Sequence, residues 1–259
     1  LSEVHKSGKP YVIYKSTKGF DLYTDFSKKI ILNKKNIYKF LNRKNNSKKL
    51  KDTDLLIGFF GYELLNNLIG IKVPRQKNID FPKGIFYKPE KKISFTNNLN
   101  YKDNNSSLRK SFKININRKS YSKIFDKFKK KIKSGETYQI KICTKYKTLS
   151  KIDPLNFFCR LSRTNLAPEA FLIKDKSFSI ISCSPENLII KNGSQITTKP
   201  IAGTVKKSKY MSKLKALNYF RKNLKETKEH NMIVDMERSD LSRICKFGTV
   251  KLSKEKVVE

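Results

Sequence analysis

The chain has 259 residues, 58 of them Lys or Arg and 22 Asp or Glu, giving a formal net charge of +36; that length can bury a sizeable core as one large domain or two. Only nine of the basic residues are Arg, the side chain preferred for bidentate phosphate and base contacts, and Lys runs through every segment, so a coding bias toward Lys explains the charge better than a dedicated nucleic-acid surface does. No long apolar run is visible and the four cysteines are scattered without metal-like pairing, which argues against a membrane span or secretory leader and for reduced thiols in a cytoplasmic protein.

Residues 10 to 32 alternate apolar and polar positions through Tyr11, Ile13, Phe20, Leu22 and Ile30, with a turn at Ser16-Thr17-Lys18-Gly19; this predicts antiparallel strands. Asn42 to Asp54 is a polar connection. Leu55 to Tyr62 is apolar on both faces, which predicts a buried strand or a tight strand-to-helix corner whose glycines permit close backbone approach. Two further strands are expected around Ile85 to Tyr87 and Lys92 to Phe95. A second polar connection, Asn97 to Ser107, places a soft boundary between a region 1–112 and a region 113–259.

Tyr121, Ile124, Phe125, Phe128 and Ile132 fall on one helical face, closed by Ser134-Gly135. Thr137 to Tyr146 alternates and predicts a strand, with Tyr138, Ile140 and Ile142 on one side and Gln139, Lys141 and Cys143 on the other. Asp153-Pro154 is a helix start, an N-cap followed by Pro at the first helical position. Hairpins are expected to turn at Lys174-Asp175-Lys176 and at Asn192-Gly193.

In the stretch from Lys225 to Val250, Glu226 and Glu229 are three residues apart and project from one helical face. Gly248 closes the helical pattern, and Thr249 to Leu252 reads as the start of a strand. Two carboxylates facing one way suit a hard cation such as Mg²⁺, usually held by one or two carboxylates with water and an anionic substrate. Spacing alone favours the commoner arrangement, a solvated face on which Lys225 and Lys228 neutralise them.

Four segments in order, GETYQIKICTKY at 135–146, SPENLII at 184–190, PIAGT at 200–204 and KETKEHNMIVDMERSDLSRICKFGTV at 225–250, resemble the motifs of the chorismate-binding enzymes. The likeness is specifically to the large subunits of anthranilate synthase and aminodeoxychorismate synthase, and GFFGYELL at 58–65 resembles their amino-terminal signature. The resemblance implies an α+β fold with large antiparallel sheets flanked by helices. It also implies Mg²⁺-dependent amination of chorismate, with ammonia delivered from glutamine by a separate amidotransferase subunit.

Residue by residue, the resemblance puts Glu226 and Glu229 on the Mg²⁺-coordinating glutamates and Glu186 on the general acid that protonates the leaving hydroxyl at ring carbon 4. Such an acid needs a raised pKa, which burial or nearby negative charge supplies. Gln139 stands where water-adding members carry a Lys base, so ammonia is the implied nucleophile. Ala202 stands where many aminodeoxychorismate synthases carry a Lys that attacks the ring, which favours direct attack by ammonia, as in anthranilate synthase. Gly203 and Thr204 would supply backbone and hydroxyl donors to substrate oxygens.

Departures accompany the likeness. Ser239 replaces the usual Asn of an Arg-Asn-Asp triplet, Asn165 to Glu169 replaces an NPAPF-like segment, and Tyr11 to Ser16 stands where a tryptophan-sensing LLES motif would be. The family's chain continues with a second metal-binding glutamate pair, a catalytic His and carboxylate-binding elements, so these residues read as a fragment incomplete at its carboxyl end. Beside anthranilate formation stand aminodeoxychorismate formation and, as a non-enzyme reading, a lysine-rich nucleic-acid-binding or inert truncated protein.

Overall fold

The alternation at the start of the chain folds as a hairpin: β1 (Tyr11–Ser16) pairs antiparallel with β2 (Gly19–Ile31) across the turn Thr17-Lys18. This computed structural model describes residues 1–43, 51–64, 68–70, 81–96, 99, 101, 111–150, 152–206 and 208–258. Most of the Asn97 to Ser107 connection, part of the Asn42 to Asp54 connection, and Leu65 of the amino-terminal signature lie outside those residues. The far side of β2 pairs with β4 (Gly84–Phe95), which pairs with the edge strand β3 (Ile57–Phe60). The other edge of β1 takes β7 (Glu169–Lys174), followed by β8 (Ser179–Ser184). The result is a six-stranded antiparallel sheet in the order β3-β4-β2-β1-β7-β8, drawing strands from both sides of residue 112.

Both faces of this sheet are covered where β1 runs through it. Tyr11 and Ile13 point one way and pack with Phe20, Leu22 and Leu172 against Leu155 and Phe158 of helix α4 (Pro154–Thr164). Val12 points the other way, onto Tyr23, Ile85, Tyr87 and Ile173. Each large apolar side chain fully buried in this manner stabilises by about 1.5–3 kcal/mol. The start of α4 follows its sequence signal, with Asp153 Oδ1 accepting from Asn156 N at 2.6 Å and Pro154 in the first turn. The β7–β8 turn is fixed by Asp175, only 2% exposed, which accepts from Lys29 Nζ at 2.8 Å, from the Tyr87 hydroxyl and from Lys176 N.

Several sequence expectations are corrected. Of the two alternatives for Leu55 to Tyr62, the strand-to-helix corner is found, since β3 runs at Gly61 into a 3-10 turn at Tyr62–Leu64; the buried strand is not, because β3 lies at the sheet edge and Phe60 is 53% exposed. Its glycines do allow close approach, since a Cβ on Gly58 would sit 1.9 Å from the Ile85 carbonyl oxygen. The two runs after Pro82 form the single strand β4, continuous through Pro89 because that residue falls opposite Phe26 at a register shift of β2. Thr137 to Lys145 is coil; only Tyr146–Lys147 (β6) is a strand, paired with Lys113–Ile114 (β5). Alternation alone does not make a strand without a partner to satisfy its backbone groups. Thr249 to Leu252 is coil for the same reason.

Helix α3 (Arg118–Lys133) ends as expected, with Gly135 at φ +76°, and the Asn192-Gly193 signal gives the hairpin β9 (Ile190–Asn192) and β10 (Gln195–Thr197) with Gly193 at φ +57°. The helix expected around Glu226 and Glu229 is α6 (Leu224–Ser242), preceded by α5 (Lys213–Lys222) and separated from it at Asn223.

Candidate functional site

The segments that carry Glu186, Ala202, Gly203 and Glu226 meet around the turn at Pro200 to Thr204; that of Gln139 makes no contact there. Glu186 lies in the coil between β8 and β9, and its Oε1 accepts from the backbone N–H of Ile201 at 2.7 Å. Two residues on, Gly203 takes φ +76°, a left-handed conformation that favours glycine. A Cβ there would meet Phe220 Cε1 at 2.8 Å and Glu226 Oε2 at 2.9 Å. The turn therefore touches Glu186 on one side and the end of α5 and first turn of α6 on the other, linking Glu186, Ala202, Gly203 and Glu226. Ala202 and Gly203 are half-buried, whereas Glu186 and Thr204 are exposed.

Glu226 and Glu229 lie one turn apart on α6 and are both half-buried. The neutralising pair read from sequence is loose: Lys225 Nζ stands 3.9 Å from Glu226 Oε1 with 81% of its side chain exposed, a geometry that contributes little. At i+4 and i+11 from Glu226, His230 Nδ1 and Glu237 Oε2 are cut off from solvent with no hydrogen-bond partner. These polar atoms share the helix stripe that begins at Glu226. Among the described residues no group of three or more His, Cys, Asp or Glu is gathered as a metal cage. Two carboxylates without a protein cage fit Mg²⁺, which keeps waters and recruits the substrate's own oxygens.

Gln139 is exposed in the coil after α3, where its carbonyl accepts from Thr137 Oγ1 at 3.1 Å; its strand neighbours expected from alternation are absent. Two cysteines are held as thiols by burial: Cys159, pushed up to about 11, and Cys183, also raised. All four cysteines are free.

Phe220, Asn223 and Thr227 at the α5–α6 elbow were not singled out by the sequence reading. Asn223 Oδ1 caps α6 by accepting from Glu226 N at 3.3 Å, and Thr227 Oγ1 donates to the Phe220 carbonyl at 3.0 Å. Asn223 followed three residues later by Glu226 has capping-box spacing, a signal present in the sequence.

The profile of a family described as chorismate binding enzyme matches residues 5–259. Aminodeoxychorismate synthase component 1 of Bacillus subtilis is 32% identical over 150 residues, covering 58% of this chain and 32% of that protein. An anthranilate synthase component I-like protein of Synechocystis is 27% identical over 230 residues, covering 78% of this chain and 47% of its own length. The chain thus spans between about a third and a half of these relatives. A crystal structure of anthranilate synthase component I from Streptococcus pneumoniae superposes with a TM-score of 0.68 at 20% identity, covering 94% of this chain and 62% of that one. The expected α+β architecture with a large antiparallel sheet is thereby matched. No helix among the described residues is long and apolar enough to cross a membrane.

Proposed function

We propose that this chain, which belongs to the chorismate-binding enzyme family, carries part of a cytoplasmic site that aminates chorismate to anthranilate and pyruvate, using ammonia from a glutamine amidotransferase partner. The observation that supports this reading is the junction at Pro200 to Thr204, where Glu186 engages Ile201 N and Glu226 abuts Gly203. In this reading region 113–259 is catalytic and region 1–112 is its amino-terminal companion.

The ammonia lone pair forms the bond to ring carbon 2, the ring double bonds shift, and the bond from carbon 4 to its hydroxyl breaks. Glu186 gives that hydroxyl its proton so that it leaves as water. The added nitrogen sheds a proton; the ring then gives up the proton on carbon 2 as the bond from carbon 3 to the enolpyruvyl oxygen breaks, and the expelled enolpyruvate takes a proton at its methylene carbon to become pyruvate, leaving the aromatic amine. Gln139 is a neutral amide that cannot deprotonate water, and Ala202 offers no nucleophile to compete with ammonia. The Gly203 N–H and the Thr204 hydroxyl donate to substrate oxygens. Glu226 and Glu229 would hold Mg²⁺, which when bound neutralises a substrate carboxylate.

The test uses the full natural polypeptide with chorismate, Mg²⁺ and excess ammonium salt, followed by anthranilate fluorescence. Glu186→Gln is expected to lower kcat by about 10²–10⁴-fold, and Glu229→Ala to abolish anthranilate formation. Chorismate consumed without anthranilate would select aminodeoxychorismate formation, the reading favoured by the Bacillus subtilis relative. No consumption at all would sink both.

A further inference from the structure

We infer that the elbow between α5 and α6 is a positioning device, in which Thr227 and Phe220 set the carboxylate of Glu226 against the turn at Gly203. The inference rests on the reading of Glu226 as a metal-holding residue. Helix α5 ends at Lys222 and α6 begins at Leu224, so a single residue, Asn223, must absorb the change of direction. Such a joint pivots unless something ties its two arms together.

Two ties are present. Thr227, in the second turn of α6, donates its hydroxyl to the Phe220 carbonyl at 3.0 Å, one of the α5 carbonyls left without an intrahelical partner. Asn223 N donates to the Tyr219 and Phe220 carbonyls, both at 3.1 Å, while its side chain caps Glu226 N. The α5 end is therefore bonded to α6 one residue beyond Glu226, which fixes the angle at which the glutamate leaves the elbow.

The Phe220 ring supplies the other surface. Its Cε1 and Cδ1 lie 2.8 and 3.2 Å from the position of a Cβ on Gly203, beside Glu226 Oε2 at 2.9 Å. Ring and carboxylate thus occupy adjacent places against the same bare Cα. If the elbow opens, both leave together, and Glu226 parts from the turn that also engages Glu186. Thr227 and Phe220 touch neither the metal nor the reacting atoms in this scheme; they act through Glu226.

Thr227→Val keeps the β-branched shape and removes the donor, and Thr227→Ser keeps the donor. Hydrogen exchange on the unliganded protein reads the elbow itself. Thr227→Val is expected to speed exchange at residues 200–206 and 223–229 by about threefold to tenfold, the span set by one hydrogen bond, with Thr227→Ser near the parent. Titration of Mg²⁺ in the presence of chorismate is expected to show the same order, with a similar fold loss of affinity for Thr227→Val alone. Unchanged exchange at 200–206 in Thr227→Val overturns the device. Faster exchange in Thr227→Val together with a parent protein that binds no Mg²⁺ overturns the metal reading of Glu226, and with it the positioning role, while leaving the joint as a purely structural one.

Discussion

Replacing Gly203 by Ala perturbs the turn in two ways whose costs separate. The left-handed backbone at φ +76° costs an L-residue about 1–2 kcal/mol. The added methyl also falls within 3.0 Å of Phe220 Cε1 and Glu226 Oε2, and forcing packed neighbours aside costs about 1–3 kcal/mol. Gly193 is the internal control: its φ is +57°, yet nothing lies within 4 Å of its Cβ position. Gly203→Ala is thus expected to destabilise by about 2–5 kcal/mol and Gly193→Ala by about 1–2 kcal/mol. Urea midpoints of the two variants, measured beside chorismate affinity in Mg²⁺, give the comparison. Because Glu226 is one of the groups that must move, affinity is expected to fall only in Gly203→Ala. Equal losses of stability with equal affinities would refute the contact between the turn and α6.

Three further outcomes follow from the sheet. Phe158→Ala, under a fully buried ring packed edge-on to Phe20, is expected to cost about 3–5 kcal/mol in denaturant unfolding. Gly58→Ala places a methyl 1.9 Å from the Ile85 carbonyl oxygen and is expected to free β3 from β4, read as loss of amide protection across Ile57–Phe60. For Asp175, burial pushes the carboxyl up, but bonds from Lys29, Tyr87 and Lys176 N outweigh it and the net shift is downward. A depressed carboxylate contributes stability above its unfolded pKa and loses it as pH falls through the folded value. Asp175→Asn is therefore expected to cost about 1.5–3 kcal/mol at pH 7, with the gap to the parent closing below about pH 4.

What could be read beforehand was what the chain encodes locally. Thr17-Lys18 between alternating strands, Asp153-Pro154 before α4, Gly135 after α3 and Gly193 in its hairpin each hold their information within four or five residues. What could not be read depends on partners distant in the chain. Pro89 is tolerated in β4 because of a register shift in β2, some sixty residues earlier. Thr137 to Lys145 has strand alternation without a strand beside it. At the site, motif likeness singled out Glu186, Gly203 and Glu226, whereas their mutual contacts come from the fold. Phe220 and Thr227 were missed because a carbonyl–hydroxyl tie across an elbow leaves no periodic trace, although the Asn223 cap before Glu226 does.

The place of β1 between β2 and β7 has a consequence for synthesis of the chain. Its hairpin with β2 can close as soon as Ile31 has emerged, yet its other edge waits for Glu169–Lys174. At about 5–20 residues per second, the ribosome needs roughly seven to thirty seconds to supply that strand. Until then Tyr11 to Tyr14 present an unpaired edge, and the side chains destined to lie under α4 have no helix above them. Such an edge is a template for pairing with other chains. A nascent-chain chaperone would find its substrate here, in the interval between a finished hairpin and an unfinished sheet.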